Sequence, residues 1–111
     1  MANTNINVSI IPLSESEIMI RKSAEKYSIE YIISVDTYNG IVYLLDGESR
    51  NEILRSEDFG LAAMGLKKDT RDNAFSVIVR YLLLRAKVTV CDPEKAQIID
   101  QFCSTVADHM I

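Results

Sequence analysis

The residues with the strongest chemistry in this chain are few and poorly placed for catalysis. His109 is the single histidine and Cys91 and Cys103 are the only cysteines. A nucleophilic thiol needs a base within hydrogen-bond reach and a third group to orient that base. Cys103 lies six residues before His109 on one expected helix, on a different side of it and nearly two turns away, so the two do not form such a pair. Both cysteines are expected as buried free thiols. No C-x-x-C, H-x-x-x-H or clustered histidine spacing is present, so no metal is expected.

Paired carboxylates fare no better. Acid–base work needs two such groups close together and shielded from water. Asp36 and Asp46 fall on opposite faces of a predicted hairpin, and Glu57-Asp58 has the character of a solvated turn. Gly60–Lys67, GLAAMGLK, comes near a phosphate-binding loop. The motif requires lysine directly after its second glycine and then Ser or Thr, following a strand; here Leu66 intervenes and Lys68 follows. The letters D-F-G at Asp58–Gly60 stand without any of the companion motifs of a kinase. The chain is therefore expected to be non-enzymatic and to use no cofactor.

The stretch that carries most information is Glu30–Asp46, EYIISVDTYNGIVYLLD. Asn39-Gly40 between two apolar, β-rich runs predicts a two-residue hairpin turn, in which both residues take positive φ. That register pairs Tyr38 with Ile41, Thr37 with Val42, Asp36 with Tyr43 and Val35 with Leu44. One face then carries Tyr31, Ile33, Val35, Val42 and Leu44, a core face. The other carries Ile32, Ser34, Asp36, Tyr38, Ile41, Tyr43 and Leu45, a mixture of aromatic, aliphatic and acidic groups that suits an interface.

Around this hairpin the pattern predicts a strand at Asn5–Leu13 and, after an S-x-x-E capping box at Ser14 and Glu17, a helix over about Glu15–Tyr27. Gly47–Thr70 is an irregular insert, with short helical or turn segments about Asn51–Arg55 and Leu61–Leu66. A helix over about Asp72–Lys87 follows, with Asp69, Thr70 and Asp72 as N-cap candidates. It buries Phe75, Ile78, Val79, Leu82 and Leu83 and carries Val77, Tyr81 and Leu84 elsewhere on its circumference. Val88–Cys91 is predicted as a short strand. Asp92-Pro93-Glu94 is a strong helix start, opening a last helix over about Pro93–His109 that buries Ala96, Ile99, Phe102, Cys103, Val106 and Met110.

The expected architecture is thus a single α+β domain over residues 1–111 with the order β-α-β-β-(insert)-α-β-α. This is a ferredoxin-like sheet with its helices on one face and an extra C-terminal helix. Its open face carries the hairpin's second set of residues. Tyr27, Tyr31 and Tyr81 are expected in the core with their hydroxyls at the surface.

Composition fits a soluble domain. The chain has 111 residues, 48% hydrophobic and 25% charged, with a formal charge of −4. An acidic balance argues against nucleic acid and anionic membrane as partners, which select clustered positive charge. The first strand also lacks the second aromatic that an RNA-binding sheet would stack on a base. The N-terminus has no positively charged, apolar and small-residue succession, so no signal peptide is expected and the compartment is expected to be cytoplasmic.

These features favour a small acidic binding protein of the inhibitor, immunity or adaptor type, acting on another protein with a basic surface. The candidate interface residues are Asp36, Tyr38, Ile41, Tyr43, Glu48, Glu52, Glu57 and Asp58. The alternatives are a ferredoxin-like regulatory module that binds a small molecule through the insert, and a structural homo-oligomer, for instance a homodimer, sharing the apolar helix.

Overall fold

The computed structural model describes residues 6–61 and 68–110. Five strands lie in sequence order in one antiparallel sheet: β1 (Asn7–Pro12), β2 (Glu17–Ala24), β3 (Tyr27–Asp36), β4 (Ile41–Asp46) and β5 (Glu52–Arg55). A 3-10 turn at Ser56–Phe59 follows, then two helices, α1 (Lys68–Arg85) and α2 (Pro93–Asp108). The α+β class matches the sequence reading. The ferredoxin-like order does not, because each strand pairs with its sequence neighbour and both helices come after the sheet.

Three elements account for the difference. The predicted helix over Glu15–Tyr27 is β2, an eight-residue strand paired on both edges. Its inner face carries Ile18, Ile20 and the stem of Lys22, and its outer face Glu17, Met19 and Arg21. Apolar Met19 on the outer face and a lysine on the inner one blur the alternation that marks a strand. Ser14 does not cap a helix; its backbone N–H donates to the Glu17 carbonyl (3.1 Å) in the β1–β2 connection. Asn51–Arg55, expected as a helical or turn segment, is largely β5, joined to β4 with a register shift at Leu44/Leu45. Val88–Cys91, expected as a strand, forms the irregular connection between the helices. Val88 is instead drawn into the end of α1, where its N–H donates to Leu83 (2.8 Å) while Lys87 N–H donates to Leu84 (2.9 Å). This is a Schellman ending with Lys87 at φ +62° in the position where glycine is usual.

The β3–β4 hairpin keeps its predicted faces but not its register. Asp36 pairs with Ile41, Val35 with Val42 and Ile33 with Leu44. The loop is therefore four residues, Thr37–Gly40, and only Gly40 has positive φ (+70°). The Asp36 carboxylate holds it closed, accepting from the N–H groups of Tyr38 (2.9 Å) and Asn39 (3.1 Å) and from Asn39 Nδ2 (2.8 Å). A slip of two residues preserves the side-chain parity of a strand, which is why the faces survive.

The core lies between one sheet face and the helices. Ile10, Ile18, Ile20, Ile33, Val35, Val42 and Leu44 meet Phe75, Ile78, Val79, Leu82 and Leu83 of α1 and Ile99, Phe102, Cys103 and Val106 of α2. The buried face expected for α1 is the observed one, whereas Val77 and Leu84 are exposed. Backbone at Asp69, Thr70 and Asp72, expected as N-caps, is already helical, and the segment predicted about Leu61–Leu66 lies almost wholly outside the described residues. Helix α2 starts as expected: Asp92 Oδ1 accepts from Glu94 N–H (2.9 Å) with Pro93 at the first helical position. Tyr31 and Tyr81 pack against the core, Tyr81 edge-on to Phe59, but Tyr27 is largely exposed at the β2–β3 turn.

Candidate functional site: the open sheet face

Residues paired across an antiparallel sheet share a face, so the register fixes what lies opposite the helices. A central row runs Ile11–Met19–Ile32–Leu45 over four strands. At a strand spacing near 4.8 Å it extends about 14 Å. Ile32 is only 2% exposed and yet does not belong to the core cluster under the helices. Its burial comes from neighbours on the open face itself.

Charged pairs frame this row. On one side Arg21 bonds its cross-strand partner Glu30 (2.7 Å). On the other lies the row Glu17–Ser34–Tyr43–Arg55, where Ser34 Oγ donates to Glu17 Oε2 (2.9 Å). Arg50 also bonds Glu17. Arg50 follows the end of β4, where its N–H donates to the Asp46 carbonyl, and Glu17 lies beyond the Ile32 row. The Arg50–Glu17 pair therefore joins the β4–β5 turn to β2. Backbone at Arg50 has φ +62°.

Tyr43 lies under the guanidinium of Arg55, 5.3 Å from the ring centroid, an arrangement that suits cation–π attraction. Arg55 is in turn held by Glu52 (2.7 Å) and Glu57 (3.1 Å). Hydrogen bonding to Arg55 keeps the Glu52 carboxyl below the usual carboxylate range, and the same contacts push the Arg55 pKa further up. The carboxylates around this face (Glu17, Glu30, Asp36, Glu52 and Glu57) outnumber its arginines (Arg21, Arg50 and Arg55).

The expected interface residues are placed as follows. Ile41 and Tyr43 are half-buried on the open face. Asp36 is at its end, occupied in closing the hairpin loop, and its hydrogen bonds with Asn39 and Tyr38 lower its pKa. Tyr38, expected on the face, is in the loop and 68% exposed, because the longer loop takes it out of the strand. Glu52 and Glu57 meet at Arg55, Asp58 is exposed on the 3-10 turn, and Glu48 is exposed in the β4–β5 turn. Sequence reasoning misses Met19 and Arg21 because β2 is expected as a helix, Ile11 because it joins this face only through its pairing with Met19, and Arg50 because it lies in the irregular insert.

The catalytic candidates stay apart. Cys103 is buried under the sheet, whereas Cys91 is exposed on the α1–α2 connection, not buried as expected. His109 caps α2, its Nδ1 2.8 Å from the Thr105 carbonyl and its Nε2 3.1 Å from exposed Glu15. Among the described residues no group of three or more His, Cys, Asp or Glu side chains is arranged to hold a metal ion, and no helix is long and apolar enough to cross a membrane. Gly60 ends the 3-10 turn at φ +70°; most of the GLAAMGLK stretch lies outside the described residues. Comparison with family models, with curated proteins and with solved structures finds no match to this chain.

Proposed function

We propose that this protein is a non-catalytic binding module that docks another protein on its open sheet face. The observation that carries the reading is the continuous row Ile11–Met19–Ile32–Leu45, apolar across four strands on the side away from the helices. Apolar centres rimmed by charged and aromatic groups are the usual anatomy of protein interfaces. Tyr43 and Ile41 extend the row toward the hairpin loop and provide a rigid anchor. The excess of carboxylates along the rim favours a partner with a basic surface and would raise its association rate. An inhibitor, immunity or adaptor role is the form of this activity that the small size and acidity favour.

A photo-crosslinking amino acid at position 45, on this face, tests the reading against one at exposed Gln97 on α2. The expected result is a discrete adduct with another protein from position 45 and none from position 97. Adducts only from position 97, or equal yields from both, would remove the sheet face as the docking surface.

A further inference from the structure

A second feature lies away from this face, where the sheet's inner side runs out beyond the end of α1. A cavity of about 310 Å³ opens there between the start of β1, β2, the α1–α2 connection and the first turn of α2. Its apolar wall is Ile6, Val8 and Val90, and Lys22, Lys87 and Lys95 line it from three different elements. The only carboxylate lining it among the described residues is Asp92, already accepting from Glu94 N–H as the cap of α2. Three lysines against one aspartate give the lining a formal charge of +2 in a chain whose formal charge is −4.

The lysines are held there by the fold. Lys22 is on the inner face of β2 opposite Val8, and its Nζ donates to the Lys87 carbonyl (2.9 Å), tying the connection to the sheet. Lys87 occupies the Schellman position at φ +62°, a left-handed backbone that glycine adopts without strain. A lysine at this place adds a third basic residue to the lining at the expense of backbone strain. Among the described residues neither Lys87 nor Lys95 is in an ion pair.

We infer that this cavity binds a small organic dianion with an apolar body, a phosphate monoester or a dicarboxylate carried on a ring or short chain. The volume is at the lower end of ligand pockets, which limits the body to about one ring. The apolar wall accounts for the body and the two net charges for the head. The inference does not rest on the sheet-face reading, since Val8 and Lys22 project from the opposite side of the sheet.

Phenyl phosphate and phenylsuccinate are the probes, titrated into the ¹⁵N-labelled full chain. Phenol, which lacks the charge, and inorganic phosphate, which lacks the body, are the controls. Saturable shifts are expected at Val8, Lys22, Thr89–Asp92, Glu94 and Lys95 with at least one probe, about tenfold weaker with either control, a factor that corresponds to about 1.4 kcal/mol. The probe that binds more tightly separates phosphate from dicarboxylate. The double variant Lys87→Gly/Lys95→Ala keeps the fold, because glycine adopts the Lys87 backbone freely, and is expected to weaken binding at least about tenfold by the same measure. Absence of saturable shifts with both probes, shifts centred elsewhere, or unchanged affinity in the double variant would overturn the proposal.

Discussion

Ile32 and Ile33 are neighbours in β3 that face opposite sides of the sheet, and truncating each to alanine measures how differently those sides are packed. Either change removes three carbons, a transfer cost of about 2.4 kcal/mol at about 0.8 per carbon. Ile33 is fully buried in the cluster formed with Val42, Leu44 and the two helices. Its surroundings are held on all sides, so a cavity term adds to the transfer cost and the total is about 3–4 kcal/mol. Ile32 is 2% exposed, but its cross-strand neighbours are the open-face side chains Met19 and Leu45. These can close over a smaller residue, and water can enter. The expected loss for Ile32→Ala is about 1–2 kcal/mol, below the full transfer value. With a urea m-value near 1.5 kcal/mol/M, ordinary for a small domain, a difference of about 2 kcal/mol separates the two midpoints by roughly 1.3 M. Equilibrium urea unfolding followed by circular dichroism reads it directly. Equal losses, or a larger one for Ile32→Ala, would refute the view that the second face is an uncovered surface.

Three further outcomes follow from individual contacts. Ser56 is fully buried and its Oγ accepts from the Val42 N–H (3.0 Å), extending the β4–β5 ladder one step beyond Arg55. Ser56→Ala leaves that N–H without a partner and should cost about 1–3 kcal/mol in urea unfolding; a loss under about 0.5 would contradict it. A Cβ at Gly47 would lie 2.5 Å from Glu30 Cβ and 2.8 Å from its carbonyl carbon and oxygen, so Gly47→Ala should destabilise by about 1–3 kcal/mol, seen as a lowered melting temperature. Asp36 has a folded pKa below its unfolded value. Its contribution is therefore full above about pH 4 and is lost as pH falls through the lower folded value. The stability difference between wild type and Asp36→Asn should be constant near neutrality and shrink in acid; a pH-independent difference would show that the carboxylate does not hold the loop.

What the sequence disclosed depended on whether a signal was local. Asp92-Pro93-Glu94 marked the start of α2 because capping is decided within three residues. The two faces of the β3–β4 hairpin were legible because strand parity survives a two-residue slip, while the loop length was not, since a single carboxylate, Asp36, converts an Asn-Gly turn into a four-residue loop. The β2–β3 turn, Glu25-Lys26, contains none of the usual turn residues. Without that break, Ile20, Ala24 and Tyr27 read as one stripe of a helix with Ile18 beside it. Met19 deepened the error because it is apolar on the outer face, and that apolarity is the property that makes the face a candidate site. Ser56 and Gly47 act through partners 14 and 17 residues away, contacts that no local pattern records.

Native mass spectrometry of the tagged chain, gently recovered from lysate of its source cells, tests the sheet-face claim most directly when wild type is compared with Met19→Glu/Leu45→Glu. Both substitutions lie on half-exposed positions of the open face, and circular dichroism verifies that the double variant folds. The expected result is a stoichiometric additional protein mass on the wild type that is absent from the double variant. A wild-type chain recovered bare, or a complex that survives both glutamates, would contradict docking on this face.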